Sequence, residues 1–581
     1  MNLRFENFPQ LLVPFAASHL NTARGIWLNK GNLAHFGEHA ATDKESLVKK
    51  FAYIVPGGVT FDNLLPSEHD TEILYAERYG GSGIGENGGG ARCGNIGGMQ
   101  VKGVGKNILA GGDDIHHSYG GFKAAYAVHE AIYSSVLSYL LPVGVAGVHG
   151  IILTGPDAAY VSGLRRGWGG LLVREQSLRP ANFLRASFFA PPQRVASYLL
   201  SDAGRVRAVN KQLLREAGDV SQVVRLFCRF LANAADQFAF ARLAGIMHGA
   251  VSPSNQCLDG RWIDLTNTSF VGSAENCAGG NRDSASFHEE ADMPIHIAIS
   301  LIKEFAKFNC QQMGVQPFVD YYRECLSERY CVHLEYVLGL HRGSFRPRQN
   351  HSLLAPLVQS ILKIHADAPV IYDRWPTDPP QRQPIFDLIA CLFIAASGRP
   401  PESSQSNPQP FNSTWLLQFR QTLIDSKPPA AGLAVSPHHC IVGSAINAAK
   451  RQLLTPFFYK GRLERRVCQM LENDQIDHLE KYIPMVVNAS KWILNLEDSP
   501  LVTMLELPEL AIAFDSPTGK YVATVGSRKT RVFSETRDLI EWCGNLDPRL
   551  FVADEFDFLP YMRRALGLIE RMDSAAAHAQ R

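Results

Sequence analysis

The sequence predicts an α+β protein in which a β-rich N-terminal lobe precedes a helical second lobe and a mostly helical C-terminal region. The texture of the 581-residue chain changes twice. Residues 1–160 are rich in glycine and strand-like stretches, residues 161–345 alternate strand-like and long amphipathic segments, and residues 346–581 are mostly helix-like. Proline and serine are concentrated at 398–413 and 426–437, which predicts exposed connections within the last region.

The composition excludes several classes of protein. Apolar residues make up 46% of the chain and charged residues 19%, so the chain can bury large cores and wholesale disorder is excluded. The 57 Lys and Arg residues balance 56 Asp and Glu residues, and a net charge of +1 provides no field that would attract nucleic acid. We therefore expect no nucleic-acid partner.

The hydropathy pattern predicts a soluble protein. The most apolar stretch, 131–153, is interrupted by Pro142 and three glycines, whereas a membrane span needs about 20 apolar residues in one continuous element. Arg4 and Glu6 interrupt the first residues, which do not resemble a secretory signal. The 11 cysteines are scattered without a Cys-x-x-Cys pair, which is typical of reduced thiols. We expect a cytoplasmic protein without a membrane span.

A glycine-rich segment, 79–106, is the first candidate for a ligand site. Glycine has no Cβ, so backbone N–H groups at Gly88, Gly89 and Gly90 can approach a polyphosphate closely. Such segments are more often only tight turns. Lys102 follows in the strand-like end of the segment, where a lysine can reach a phosphate as a point charge. The alternative is a surface lysine whose aliphatic stem lies along the sheet.

The next segment, 122–141, is predicted to be a helix with one buried acid. Tyr126, Glu130, Tyr133 and Leu137 lie on one line of the helix, and Glu130 is the only acid on this apolar stripe. A buried carboxylate is costly unless it is paired, so we expect a lysine of the neighbouring sheet as its partner. Protein kinases hold the α- and β-phosphates of ATP with such a strand lysine and helix glutamate. The alternative places the glutamate at the solvent edge of its helix.

A hairpin is predicted within HGAVSPSNQCLDGRWIDLTN (248–267). Asp-Gly at 259–260 is a strong two-residue turn signal, and pairing outward from it sets Asn255 opposite Asp264. A carboxamide and a carboxylate at one place are hard oxygen ligands suited to Mg²⁺. The same order, an Asn at the end of a catalytic loop followed by an Asp, binds metal in kinases. The alternative is that both side chains cap local backbone.

Two departures argue against ordinary protein kinase activity. The position five residues before Asn255, where kinases carry the catalytic Asp, is Ala250. Asp264 is followed by Leu265 and Thr266 in place of the Phe-Gly of kinases. We therefore expect a nucleotide site without the usual kinase base.

Taken together, these segments resemble the selenoprotein O (SelO) family of pseudokinases, which act as protein adenylyltransferases. HLNTARGIWLN (19–29) is similar to that family's PLNNARLIWHN, and VKGVG (101–105) to its LKGAG. The segments 171–183, 248–267 and 285–308 continue the resemblance, which covers about residues 10–340. It implies a bilobal protein-kinase-like fold with a β-rich N-lobe and a helical C-lobe, followed by the C-terminal extension.

The resemblance also implies cofactors and residue roles. ATP and Mg²⁺ (or Mn²⁺) are the implied cofactors, with the nucleotide turned so that AMP rather than phosphate is transferred to a protein hydroxyl. The implied residues are Lys102 and Glu130 as an ion pair, Arg174 and Arg179 on phosphates, and Asn255 and Asp264 on the metal.

The chain departs from the family pattern at three places. The arginine of the family's GDGRA motif, nine residues before the helix glutamate, falls on Gly121, with Lys123 as the only nearby substitute. The family's proposed base, an Asp immediately before the metal-binding Asn, is Ser254 here. The segment GGDDIHHSYGG (111–121) is an insertion that we expect to form a lid over the nucleotide. A metal site within it is the less favoured alternative, because adjacent residues rarely converge on one ion.

The C-terminal region, 346–581, shows no equally clear resemblance. A small hairpin is predicted at about 509–526, where Pro517–Gly519 form the turn. We expect this hairpin and the surrounding helices to offer a docking site for a partner enzyme.

The function expected from these observations is a metal-dependent transfer of AMP from ATP to a hydroxyl of a protein or peptide. The alternative is a catalytically impaired kinase-fold scaffold or subunit that takes part in the maturation of a microcin-like peptide. A nucleic-acid enzyme is the least favoured class, because the charge is balanced and no stripe of aromatic and basic residues stands out.

Overall fold

The structure is a computed structural model of the chain. It describes residues 3–32, 40–55, 66–111, 118–163, 165–191, 193–197, 199–272, 276–278, 285–340, 343–344, 347–372, 375–398, 411–425, 435–494, 499–526 and 529–579.

The N-terminal part is built on one eight-stranded sheet in which every pairing is antiparallel. Its strand order is β2-β7-β8-β6-β5-β4-β1-β3. The strands are β1 Leu12–Leu20, β2 Arg24–Leu28, β3 Tyr53–Ile54, β4 Pro66–Glu77, β5 Cys93–Ile96, β6 Met99–Lys102, β7 Val148–Ser162 and β8 Arg165–Glu175.

Two helices cover the two faces of this sheet. Helix α1 (Lys44–Phe51) begins at Asp43, whose side chain accepts a hydrogen bond from the Ser46 N–H, and it packs against the face that includes Met99 and Val101. Helix α2 (Ala124–Leu140) covers the opposite face, and most of its side chains are buried. Because side chains alternate along a strand, Gln100 and Lys102 lie on the α2 side of β6.

The second part of the chain is mainly helical. Its elements surround a short hairpin loop between β9 and β10 that carries Asn255 and Asp264. These elements are α3 Gln193–Ala196, α4 Asp202–Ala217, α5 Val220–Leu243, β9 Ile246–Met247, β10 Ser269–Phe270, β11 Asn276–Ala278, α6 Met293–Asn309 and α7 Gln316–Val337.

The C-terminal region combines helices with a four-stranded antiparallel sheet. The hairpin predicted near 509–526 is present, with Asp515 opposite Lys520 and Gly519 at a positive φ of 69° in the turn. Two further strands extend it. The elements are α8 Pro347–Ala366, β12 Val370–Tyr372, α9 Pro384–Ala396, α10 Ser413–Asp425, α11 Pro437–Leu453, α12 Lys460–Glu472, α13 Ile476–Ile493, β13 Leu501–Glu506, β14 Leu510–Asp515, β15 Lys520–Val525, β16 Lys529–Phe533, α14 Thr536–Gly544, β17 Val552–Ala553, β18 Phe556–Asp557 and α15 Leu559–Ala579.

The three regions share one hydrophobic core. Buried apolar side chains form a continuous cluster that extends from Phe5 through α2 and α5 to Met572 in α15. The expected division after residue 160 falls within β7, and β8 belongs to the same sheet, so the β-rich part continues to Glu175. Within the described residues, no helix is both long and apolar enough to cross a membrane.

Candidate functional site

Lys102 lies at the centre of a buried ionic cluster. Its side chain is 1% exposed, which excludes the alternative of a surface lysine. The Nζ atom lies 3.1 Å from Oε2 of Glu130, 2.6 Å from Oδ1 of Asp264 and 3.3 Å from Oγ1 of Thr266. It also lies 4.4 Å from the ring centroid of Phe122, within the range of a cation–π interaction. The cluster joins β6, α2 and the hairpin loop in one place.

Glu130 uses both carboxylate oxygens inside the protein. Oε2 accepts from Lys102 and from Thr266, and Oε1 lies 2.5 Å from Nη1 of Arg174. The side chain is buried, so the alternative position at the solvent edge of the helix is wrong. The lysine partner that the buried stripe of α2 predicted is present, and an arginine from β8 is added to it.

Asp264 is a charged member of the cluster that reaches solvent. Its side chain is 24% exposed, against 1–2% for Lys102 and Glu130. Burial alone would raise the pKa of the Asp264 carboxyl, but the positive charges of Lys102 and Arg174 outweigh it and hold the pKa well below its usual range. The residue has φ 63° and ψ 65°, a left-handed conformation that is uncommon outside glycine and recurs at functional sites. A permanent carboxylate is therefore presented at the edge of the cluster.

The hairpin that carries Asp264 has a different register from the one expected. Gln256 bridges to Trp262, and the N–H of Cys257 donates to the carbonyl of Arg261, so the turn spans three residues and is closed by Gly260 at φ 93°. The predicted two-residue turn, with Asn255 opposite Asp264, is wrong by one position.

The register is set by contacts outside the hairpin. Trp262 is completely buried, and its carbonyl accepts from the Ala146 N–H at 2.8 Å. Pairing with this neighbouring segment and burial of the indole outweigh the local turn preference. The Asn255 carbonyl consequently accepts from the Ile263 N–H, and Asp264 follows at the next residue.

The carboxamide of Asn255 is held by its own loop. Its Nδ2 donates to the carbonyl of Ala250 at 2.8 Å, and its Oδ1 accepts from Oγ of Ser254 at 3.2 Å. The local capping that was considered as an alternative is therefore present. Among the described residues, the partner of Oδ1 is this hydroxyl, which can rotate to another partner. Ser254 is buried and also contacts Oγ of Ser252 at 3.0 Å.

A buried acid, Glu290, fixes the start of this loop. Its carboxyl oxygens accept from the backbone N–H groups of His248 at 2.9 Å and Gly249 at 2.7 Å. Burial raises the pKa of Glu290 to about 8, although the two backbone hydrogen bonds act in the opposite direction. His248 contacts the carbonyl of Asn255 through Nε2 at 3.2 Å. The carboxyl group of Glu290 therefore holds the backbone from which the loop to Asn255 starts.

Arg174 is buried and bonded to protein groups. Besides Glu130, it donates from Nε and Nη2 to Oε1 of Gln100 at 3.0 and 2.8 Å. Burial lowers the pKa of the guanidinium, but the carboxylates of Glu130 and Asp264 together outweigh this and raise it. The Arg174 guanidinium and the Lys102 ammonium group thus contact the two oxygens of the same Glu130 carboxylate, and both stabilise its negative charge.

Arg179 is similarly enclosed. It donates to Oε1 of Gln100 at 2.9 Å and to the carbonyl of Ser254 at 2.9 Å, and it lies 3.6 Å from Oε2 of Glu77. Its guanidinium also stacks over the ring of Tyr79. Arg179 therefore links β6 to the loop that ends in Asn255.

The glycines expected to hold phosphate serve mainly for close packing. The N–H groups of Gly88 and Gly90 already donate to the carbonyls of Leu109 and Glu77. A Cβ on Gly89 would lie 2.2 Å from the Glu77 carbonyl oxygen. This arrangement argues against a phosphate role for the N–H groups of Gly88 and Gly90. Glycine is needed at position 89 because the backbone of Glu77 comes too close for a side chain.

The exposed part of the glycine-rich segment lies nearer the hairpin loop. Gly83 and Gly85 are exposed and adopt φ 89° and 57°. A Cβ on Gly83 would be 3.6 Å from Ser252, and one on Gly81 would be 3.1 Å from Pro253. The turn at 81–86 therefore borders the segment that carries Ser254.

Arg92 is a site residue that the sequence patterns did not single out. It lies two residues after Gly90, and its guanidinium is 5.3 Å from the centroid of the Phe122 ring, on which Lys102 also packs. Its charge contributes to the low pKa of Asp264. Within the described part of the chain it makes no ion pair. A basic residue at the end of a glycine-rich turn is the signal that would have identified it.

A metal at this site would be held by few protein ligands. Among the residues that the structure describes, no three His, Cys, Asp or Glu side chains converge on one point. The alternative ligands of the insertion, Asp113, Asp114, His116 and His117, lie outside the described residues, as does most of the expected lid.

The comparisons with known proteins leave the family open. A scan against protein-family models finds no model that matches the chain, and a search of curated proteins finds no significant match.

Proposed function

We propose that this protein binds ATP with a divalent metal and transfers AMP to a hydroxyl of a protein or peptide. One observation carries the proposal: Lys102, Glu130 and Asp264, from a strand, a helix and a hairpin, meet in one buried cluster. Protein kinases use the same three residue types, in the same order along the chain, for ATP and its metal. The proposal includes a bilobal kinase-like arrangement and a relationship to SelO.

The donor atoms at the cluster suit Mg²⁺ or Mn²⁺. Asp264 supplies a carboxylate whose charge is maintained by Lys102. Asn255 supplies a carboxamide oxygen that accepts a hydrogen bond from the Ser254 hydroxyl. Mg²⁺ is usually bound by one or two carboxylates together with water and substrate phosphates. A pair of protein ligands is therefore sufficient when a triphosphate is the substrate.

The charge around the cluster suits a polyphosphate. Three cations, Lys102, Arg174 and Arg179, face the carboxylates of Glu130, Asp264 and Glu77. Arg92 adds a fourth cation beside them, so the cluster has an excess of positive charge. A guanidinium that is not already bonded to a carboxylate is suited to a phosphate oxygen.

The proposed reaction is a nucleotidyl transfer. The acceptor oxygen forms a bond to the α-phosphorus of ATP, the bond to the bridging oxygen of the β-phosphate breaks, and pyrophosphate leaves. The acceptor proton passes to solvent, because the hydroxyl of Ser254 is not basic at neutral pH. Positioning and neutralisation of charge supply most of the rate in such transfers, so a missing base slows the reaction without preventing it.

Labelled nucleotides test this proposal. The full-length protein is incubated with Mg²⁺ and ATP that carries a radiolabel on either the α- or the γ-phosphate, alone and with a pool of hydroxyl-containing peptides. We expect label from the α-phosphate to be transferred, and we expect Asp264→Asn to abolish the transfer. Absence of transfer from both nucleotides would contradict the proposal, and transfer from the γ-phosphate alone would indicate a kinase.

A second candidate function is a scaffold that has lost turnover. It is favoured by the protein contacts of Arg174 and Arg179, whose guanidinium groups donate to Gln100, Glu130 and Ser254 rather than being directed at open space. The scaffold would assist a partner enzyme in the maturation of a peptide. It predicts that neither label is transferred and that peptide maturation by the partner enzyme is unchanged by Asp264→Asn.

A further inference from the structure

Helix α2 contacts the segment 264–270 at three successive levels. Every second residue of the segment, starting at Thr266, meets a side chain of the helix. The contacts are Thr266 Oγ1 to Glu130 Oε2 at 3.3 Å, the Thr268 carbonyl to His129 Nε2 at 2.9 Å, and the Phe270 N–H to the Tyr133 hydroxyl at 3.1 Å. The helix therefore holds both Lys102, through Glu130, and the segment that begins at Asp264.

Tyr133 connects α2 and the segment 264–270 to the C-terminal region. Its hydroxyl accepts from the Phe270 N–H and donates to the carbonyl of Phe458 at 2.5 Å. The residue is 1% exposed, and its ring stacks on that of His129 with 4.5 Å between the centroids. One hydroxyl thus connects α2, β10 and the turn that precedes α12.

The C-terminal side of this junction makes its own contacts with β10. The N–H of Lys460 donates to Oγ of Ser269 at 3.1 Å, and the rings of Phe458 and Phe270 lie 5.7 Å apart. Residues 269–270 are therefore enclosed between α2 on one side and residues 455–460 on the other. The hydrogen bond from Lys460 to Ser269 joins two buried residues.

We infer that Tyr133 is a positioning residue through which the C-terminal region holds the segment 264–270, and with it Asp264, in place. Residues 455–460 then act inside the chain as a permanent support of the site. The expected effect of Tyr133 on the mobility of residues 264–270 does not depend on the proposed function. Its expected effect on metal and nucleotide binding rests on the proposed function.

The physical reason lies in the two backbone groups that the hydroxyl satisfies. Without it, the N–H of Phe270 and the carbonyl of Phe458 are left buried and unpaired, and each unpaired group destabilises the arrangement that buries it. The Thr266 and His129 contacts remain, so the segment loosens at its β10 end while the helix keeps its pairing with Lys102.

Tyr139 provides the matched control. It lies on the same helix, and its hydroxyl lies 2.5 Å from Oγ of Ser490 in α13, so it also joins α2 to the C-terminal region. Tyr139→Phe and Tyr133→Phe remove the same atom from the same helix. They differ in that Tyr133 contacts the segment that begins at Asp264.

The first measurement is hydrogen–deuterium exchange of the full-length protein without nucleotide. We expect the amides of 264–270 to exchange about fivefold faster or more in Tyr133→Phe, and at the wild-type rate in Tyr139→Phe. Ser269→Ala, which removes the acceptor for the Lys460 N–H, is a milder second variant with the same expected direction. Equal exchange of this segment in wild type, Tyr133→Phe and Ser269→Ala overturns the inference.

The second measurement separates positioning from general destabilisation. The dissociation constant of ATP is measured with and without Mg²⁺ on the same proteins. We expect Tyr133→Phe to weaken binding in Mg²⁺ by about fivefold or more and to change metal-free binding little, because Asp264 is the displaced ligand. Mg²⁺-dependent binding equal to that of Tyr139→Phe would overturn the inference. If the wild type binds no nucleotide, the proposed function fails, and the exchange measurement alone decides the role of Tyr133.

Discussion

The Nζ atom of Lys102 lies 2.6 Å from Oδ1 of Asp264, although 162 residues separate them along the chain. The same nitrogen lies 3.1 Å from Glu130, so a strand, a helix and a hairpin meet at one ammonium group. Removing a cation that two carboxylates share is costly, because the negative charges of both acids would then be less well neutralised.

Removal of this cation should destabilise the fold strongly. Lys102→Met deprives two carboxylates of their shared partner, and breaking a buried ion pair typically costs about 3–5 kcal/mol. Lys44→Met is the control, because Lys44 pairs with Glu480 at the surface and such pairs contribute about 1 kcal/mol or less. Denaturant unfolding measures both. Equal losses in the two variants would show that the cluster has no special role in stability.

Arg92 should contribute to nucleotide affinity. If it binds a phosphate oxygen, Arg92→Gln weakens ATP binding by about tenfold or more, since a hydrogen bond to a charged group contributes about 1.5–3 kcal/mol. Arg165→Gln is the control, because it removes the same charge from the surface at the start of β8, where Arg165 pairs with Glu472. Titration calorimetry with ATP compares the two variants. Similar affinities in both would exclude a direct contact with Arg92.

Glu290 should make stability depend on pH. Its folded pKa is raised to about 8 from a usual value of 4.5, so between these values the folded state keeps a proton that the unfolded chain loses. The free energy of unfolding should therefore fall as pH rises through this window, by at most about 1.4 kcal/mol per pH unit from this group. The contribution is fully present below pH 4.5.

Two neighbouring variants isolate this effect. Glu290→Gln cannot lose a proton and should flatten the decline. Glu289→Gln should keep it, because the Glu289 carboxylate bonds to Ser286 and its pKa is lowered. Thermal unfolding is followed from pH 5 to pH 8, which lies inside the window of about 4.5 to 8. The same slope in Glu290→Gln and wild type would contradict the assignment.

The glycine-rich segment should separate into a packed and an open part. Gly89→Ala places a Cβ 2.2 Å from the Glu77 carbonyl oxygen at φ 139°, and overpacking with an unfavourable backbone should cost about 2–5 kcal/mol. The added Cβ of Gly85→Ala meets nothing within 4 Å. Because φ is 57°, the variant should lose only the cost of placing alanine in a left-handed conformation, about 1–2 kcal/mol of stability. Denaturant unfolding that ranks Gly85→Ala as the more damaging change would refute this division.

The pairing of Lys102 with Glu130 could be predicted because it follows from two local periodicities. The period of the helix places Glu130 on a buried stripe, and the position of Lys102 in a strand directs it toward the adjacent layer. A buried acid without a nearby cation would be costly, so the partner can be inferred without knowledge of the fold.

The hairpin register and the surroundings of the arginines could not be predicted in this way. The turn at Asp259 and Gly260 is shifted by long-range pairing of Trp262 with the segment at Ala146. Arg179 is enclosed by Gln100, Glu77 and the Ser254 carbonyl, which come from separate segments that no single local pattern brings together. Such contacts depend on tertiary packing, which local turn and spacing preferences do not contain.

The contact between α2 and the C-terminal region could not be predicted from the sequence either. Tyr133 and Phe458 are 325 residues apart, and nothing in either local pattern links them. The amphipathic helices of the C-terminal region indicated only that an apolar face would be buried, and a partner protein was a reasonable expectation. In the structure, residues 458–460 of the C-terminal region pack instead against Tyr133 and β10, next to the chain's own candidate site.

Titration calorimetry of ATP against wild type and Asp264→Asn, with and without Mg²⁺, tests the central claim most directly. Asn tolerates the left-handed conformation of residue 264, so the variant removes the charge without straining the backbone. We predict that Mg²⁺ strengthens ATP binding to the wild type by about tenfold or more, and that Asp264→Asn removes this dependence. Absence of ATP binding to the wild type, or equal Mg²⁺-dependent binding to both proteins, would contradict the account.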